Sequence, residues 1–231
     1  GLGDVYKRQM LGTLIRGRIA VGAAGAGATK SALAIAVKYA HQRRQFDYGD
    51  TGTEDKLIDY RAHRRRLIIP LARTYALQVL QNQLTQRYAD QTSRQATGEW
   101  SVTNPTKQQE LASREMETLA AAFKAVATEH ATDTIQECRE ACGGAGFMSE
   151  NLLTTFRADT DVYNTFEGDN TVLLQLAGKN LLTAYTSEMA NPSAMDIVKF
   201  AATNVTDIVR SRAGLGSTVQ TFVDTFSGEE A

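Results

Sequence analysis

The sequence predicts an all-α fold, an up-and-down bundle of four long helices. Three observations predict it. Four long segments carry apolar residues at helical spacing, Gly, Pro and Asn punctuate the joints between them, and no stretch alternates as a strand. Residues 10–190 are assigned to this bundle. Gly1 to Gln9 do not continue the helical pattern and resemble translated adapter sequence, so they are set aside. Residues 191–231 read as the start of a second C-terminal helical region. At 231 residues and 42% hydrophobic content, the chain is long enough to bury a core.

The first helix is predicted from about Leu11 to Gln45. Ala20, Ala24, Ala28, Ala32, Ala36 and Ala40 form a row at intervals of four that winds slowly around it, letting a neighbouring helix approach closely. Gly22, Gly25 and Gly27 each weaken an isolated helix by roughly 1 kcal/mol, so tertiary packing has to hold this one. No strand precedes that glycine cluster, so it is not a nucleotide P-loop. A connection over Phe46 to Thr53 leads to a second helix from Glu54 into the nineties, with a kink or short break near Arg66 caused by Pro70. Asn104-Pro105 reads as the start of the third helix, which passes Leu111, Leu119, Phe123 and Val126 to Cys138 and stops at Gly143-Gly144. A short helix around Asn151 to Phe156 precedes the fourth long one, from near Asp169 to about Met189. Two further helical patterns, Ala194 to Arg210 and Ser217 to Phe226, complete the chain.

A formal net charge of −1 gives no long-range attraction to nucleic acid or an anionic membrane. The basic run Arg61, His63, Arg64, Arg65 and Arg66 points around a helix and reads as a solvated, partly paired surface. Cys138 and Cys142 share one helix face without stapling distant segments, so buried reduced thiols are expected. His41, His63 and His130 are too scattered to be metal ligands. No apolar run comes close to the roughly 20 residues that span a bilayer.

The most informative stretch runs from Asp159 to Gln175. It seats Glu167 between a turn and a helix start, with an aromatic before it, a glycine after it, and Asp169 or Asn170 available as a cap. A carboxylate on such a loop suits the base for a carbon acid, because the helix behind it fixes its position. Simple charge complementarity at a helix N-terminus explains the same residue. The residues alone leave both readings open.

Two further motifs precede it: Gly17-Arg18-Ile19 through Arg43-Arg44-Gln45-Phe46, and Arg139-Glu140-Ala141-Cys142-Gly143-Gly144-Ala145-Gly146-Phe147. Together with Phe166-Glu167-Gly168-Asp169-Asn170-Thr171-Val172, they make the chain resemble the C-terminal half of an acyl-CoA oxidase. Acyl-CoA dehydrogenases match less well, since Glu140 stands where many of them place a glutamine, and Asp169-Asn170 replaces a Gly-Thr-Ser-like continuation. The resemblance implies FAD as cofactor, a fatty acyl-CoA and O2 as substrates, a homodimer, and Glu167 as the base that removes the α-proton. It implies that Arg43 and Gln45 reach a partner's FAD, and that Gly143, Gly144, Gly146 and Asp169 belong to the cofactor site. Arg18 and Gly168 are implied on the substrate side. The products would be a trans-2-enoyl thioester and H2O2, in the peroxisome of a eukaryote or the cytoplasm of a bacterium. The N-terminal helical and middle β-domains of that family are not in the chain, so a fragment inactive by itself is expected. A dehydrogenase, or a helical interaction module without catalysis, are the rival expectations.

Overall fold

The computed structural model describes residues 2–189. It contains α1 (Leu2–Gln42), α2 (Arg61–Ala96), α3 (Lys107–Ala141), a short α4 (Leu153–Asp161) and α5 (Asn170–Met189), with 3-10 turns in the connections. The compact unit is residues 1–181; a second unit begins at Leu182, and of it only the last turns of α5 are described. The two tail helices expected beyond Asn191 lie outside the described residues.

Side-chain contacts fix the direction of each helix. On α1 and α3, Gly22 faces Phe123 and Gly25 faces Ala127, so the two run parallel. Tyr88 reaches the carbonyl of Gly12 while Lys30 reaches Gln78, so α2 runs against α1. Asn170 meets Ala125 and Asn180 meets Thr118, so α5 runs against α3. Up, down, up, down is the predicted bundle.

The α1–α3 seam is the tightest part of the core. A Cβ on Gly22 would lie 2.6 Å from the Phe123 ring, and one on Gly25 would lie 3.3 Å from the Ala127 carbonyl oxygen. Backbone approach, not flexibility, is what these glycines provide. The alanine row enters the seam only partway: Ala20 and Ala24 are exposed, while Ala32, Ala36 and Ala40 are fully buried. A four-residue spacing drifts by about 40° per step on a helix, which carries the row from solvent to core. At one end Ala36 and Ala40 pack with Ile135, Cys138 and Cys142; at the other Ile15 and Ile19 pack with Met116, Ala120 and Phe123. Both thiols are free and buried, and burial pushes Cys138 up to about 12, which leaves it inert.

Several boundaries differ from the sequence reading. The helix begins at Leu2, not near Leu11, because no proline interrupts propagation between Val5 and Thr13 and the single Gly12 is too weak a breaker to stop it. Residues Gly12–Gln42 are, by length and composition alone, apolar enough to cross a membrane, contrary to the sequence reading, and half of that apolar window is buried inside the fold. Burial in the α1–α3 seam makes the same compositional demand. The second helix starts at Arg61 because residues before it pair with the chain leaving α1: Arg44 bridges Lys56, and the Gln45 amide donates to the Asp55 carbonyl. Pro70 causes no break, since α2 is continuous through it. Leu67, Thr74 and Leu77 are buried on both sides of the proline, and that packing outweighs the lost hydrogen bond. The third helix is capped at Thr106, whose hydroxyl and the Gln109 side chain form a reciprocal capping box; this local closure prevails over Asn104-Pro105.

The basic run at the start of α2 is partly paired, with Arg66 bound to Glu137 and Glu140 on α3. Further along the same seam, Thr74 Oγ1 lies 2.9 Å from His130 Nε2. Burial, then the charge of Arg73, holds His130 below the ordinary histidine value of 6.5, and burial does the same to His63. The unfolded chain therefore binds protons that the fold refuses, and stability falls as pH drops below the ordinary value. We expect the melting temperature to decline between about pH 7.5 and about pH 5.5, and the decline to be shallower in His130→Gln.

Candidate functional site

Glu167 sits on the turn between α4 and α5. Its backbone is left-handed, at φ 57°, and Gly168 follows at φ 110°. Two consecutive positive φ angles, one at a non-glycine residue, reverse the chain sharply and send the Glu167 side chain back toward α1. Its carboxylate lies directly over Gly17: a Cβ there would be 2.5 Å from Glu167 Cδ and Oε2 and 2.7 Å from Oε1. Glu167 is half-buried. Asp169 closes the turn as the N-cap of α5, its Oδ1 accepting from the Thr171 amide at 2.9 Å and the Val172 amide at 3.4 Å.

Beneath the turn, Lys124 of α3 is fully buried. Its ammonium donates to the Gly168 carbonyl at 2.7 Å and to Asn170 Oδ1 at 2.9 Å. The Asn170 amide in turn donates to the Ala125 carbonyl, to Thr128 Oγ1 and to Asn164 Oδ1. Beside Gly17, Arg18 is also buried; Nη1 is 4.0 Å from Glu117 Oε1, and neither Nε nor Nη1 has a hydrogen-bond partner. Glu167, Gly168, Asp169 and Arg18 are thus brought to one region around Gly17 and Lys124.

The remaining predicted site residues stand at the other end of the bundle. Gly17 and Gln42 are separated by about 37 Å of α1 at 1.5 Å per residue. Arg43 and Gln45 follow Gln42, both exposed, and Gln45 is held through its backbone by Asp55 and by the Tyr60 hydroxyl at 2.5 Å. No described residue hydrogen-bonds the Arg43 guanidinium. The glycine turn lies at this same end, after Cys142, which packs with Ala40. Its three glycines have different reasons. Gly143 takes φ 56° as the left-handed residue after the α3 cap. A Cβ on Gly146 would fall 1.9 Å from the Arg139 carbonyl oxygen, so only glycine fits. Gly144 has open space around its Cβ position, and nothing within the chain requires it to be glycine. Glu140 is engaged by Arg66 and by the Gln136 amide.

Sequence reasoning missed Lys124 and the role of Gly17. A signal existed for the first: a lysine between Phe123 and Ala125, on a helix face otherwise made of Ala120, Ala127 and Ala131, occupies a core position. Among the described residues, no group of His, Cys, Asp and Glu side chains is arranged to hold a metal ion.

Residues 11–182 match the family described as acyl-CoA oxidase, C-alpha1 domain. The chain belongs to the acyl-CoA oxidase family. It is 37% identical over 177 residues to the peroxisomal putative acyl-coenzyme A oxidase 3.2 of Arabidopsis thaliana, covering 77% of this chain and 24% of that protein. Among solved structures, acyl-CoA oxidase 1 of Yarrowia lipolytica is 31% identical with a TM-score of 0.70, over 80% of this chain and 28% of the other. Acyl-CoA oxidase-2 of Caenorhabditis elegans, solved with FAD, ascaroside-CoA and ATP, shares the fold at 22% identity and a TM-score of 0.68, over 78% of this chain and 26% of that one. The chain therefore spans about a quarter of the length of the relatives it matches. The family assignment favours the oxidases over the dehydrogenases.

Proposed function

We propose that this chain supplies the catalytic base and part of the cofactor contact of an FAD-dependent acyl-CoA oxidase, which converts a fatty acyl-CoA and O2 to the trans-2-enoyl-CoA and H2O2. The observation that carries the reading is the Glu167 carboxylate, aimed by a strained turn at the one position on α1 where a missing side chain makes room for it. Removing an α-proton beside a thioester needs a base held at close range with its orientation set in advance, and the turn, the Asp169 cap and the packed α5 provide that. One Glu167 oxygen takes the α-proton. Arg18, buried with two guanidinium nitrogens that make no hydrogen bond, stands next to Gly17 as a donor for the thioester substrate, and Gly168 follows the base on the same turn.

The residues present fit a flavin dinucleotide at the far end of the bundle. Gly144 has space where a side chain would otherwise stand, and the exposed Arg43 guanidinium is free to meet a diphosphate, with Gln45 and the turn through Gly143 and Gly146 beside it. When bound, FAD supplies the acceptor for the β-hydride and the route by which two electrons reach O2. The separation of Arg43 from Gly17 is too great for both to serve one active site, which supports a homodimer in which Arg43 and Gln45 serve the partner's cofactor. A eukaryotic source would place the reaction in the peroxisome and a bacterial one in the cytoplasm.

The test is to give a saturated acyl-CoA to the holoenzyme that contains this segment and follow flavin bleaching together with peroxide. One H2O2 for each enoyl-CoA formed is expected. Bleaching that needs an electron-transferring flavoprotein for turnover would assign a dehydrogenase instead, and a protein that holds no flavin would leave a helical interaction module.

A further inference from the structure

Lys124 and Arg18 are the charged side chains that the described fold buries, and Lys124 is fully covered. Burying an ammonium is costly unless its protons are satisfied by strong acceptors, so its partners indicate what it is for. They are the Gly168 carbonyl at 2.7 Å and Asn170 Oδ1 at 2.9 Å, the residues one and three places after Glu167. Glu167 and Gly168 take consecutive positive φ angles, 57° and 110°. Such backbone persists only where surrounding contacts over-determine it. Asn170 is itself fastened to α3 through Ala125 and Thr128 and to the preceding turn through Asn164, so it cannot drift with the lysine.

The charges around this point come from three elements. Arg18 stands on α1 with Glu117 of α3 against it, Lys124 on α3, and Glu167 and Asp169 on the turn. Burial pushes the Lys124 ammonium toward its neutral form, Asp169 and Glu167 favour its charge, and Arg18 opposes it.

We propose that Lys124 is the positioning residue for the base: its ammonium pins the Gly168 carbonyl and holds Glu167 in the left-handed conformation over Gly17. The proposal rests on the reading of Glu167 as the base. It is tested by stopped-flow flavin reduction over a range of acyl-CoA concentrations in the holoenzyme containing this segment, for wild type, Lys124→Met, Lys124→Arg and Glu167→Gln, with FAD content measured in each. Lys124→Met is expected to slow the limiting reduction rate by about tenfold or more, with little change in substrate affinity. Lys124→Arg, which keeps a cationic donor, should return the limiting rate toward wild type. A wild-type limiting rate in Lys124→Met would overturn the proposal. So would equal losses in the Met and Arg variants with rate and affinity falling together, which marks a purely structural residue. If Lys124→Met holds no FAD, the Arg variant decides by its limiting rate. Wild-type bleaching in Glu167→Gln would instead remove Glu167 as the base and leave the anchoring role of Lys124 to be judged by its own variants.

Discussion

Glu167→Gln is expected to fold, to hold FAD in the holoenzyme, and to lose substrate-dependent flavin bleaching by about 10²–10⁴-fold, the usual worth of a positioned general base. The amide fills the same volume over Gly17 and leaves the Gly168 carbonyl and the Asp169 cap untouched. Substrate binding should therefore survive, because what is lost is a proton acceptor and not a contact. Titration with a non-reactive thioester analogue, read by perturbation of the flavin spectrum, checks that point. A variant that binds the analogue as wild type does and fails to bleach fits the base. One that bleaches at the wild-type rate would assign the proton to another group.

The bundle was legible because its signals are local and repeated. The cap at Asp169 and the glycine after α3 both end or begin helices where the sequence places them, and the buried halves of α1 and α3 follow directly from spacing. The starts of α2 and α3 were misjudged for opposite reasons. At α2 a non-local pairing of Arg44 with Lys56 holds residues that would otherwise join the helix. At α3 two cap signals stand two residues apart, and only the Thr106–Gln109 box closes on itself. Glu167 was legible as a residue but its aim was not: the left-handed turn and the Gly17 gap exist only once α1 and α5 are assembled around α3. The same is true of Lys124, whose partners lie more than forty residues away.

Gly17→Ala separates stability from function in the sharpest way the fold offers. Within a helix, alanine in place of glycine favours folding by roughly 0.5–1 kcal/mol. The new Cβ, however, would stand 2.5–2.7 Å from all three atoms of the Glu167 carboxyl group, which none can tolerate. The atoms it meets are the far end of a flexible side chain, so the fold yields cheaply by rotating the carboxylate away. The backbone of Glu167 stays where Lys124 and Asn170 hold it. The Glu167 carboxylate is then present but misplaced by the width of a methyl group, and for a base a displacement of that size costs about 10²-fold in rate. We expect flavin reduction to fall by that order while the melting temperature holds or rises. A parallel loss of both would mean that Gly17 serves helix packing. An unchanged rate would mean that the working enzyme carries the Glu167 carboxylate somewhere other than over α1.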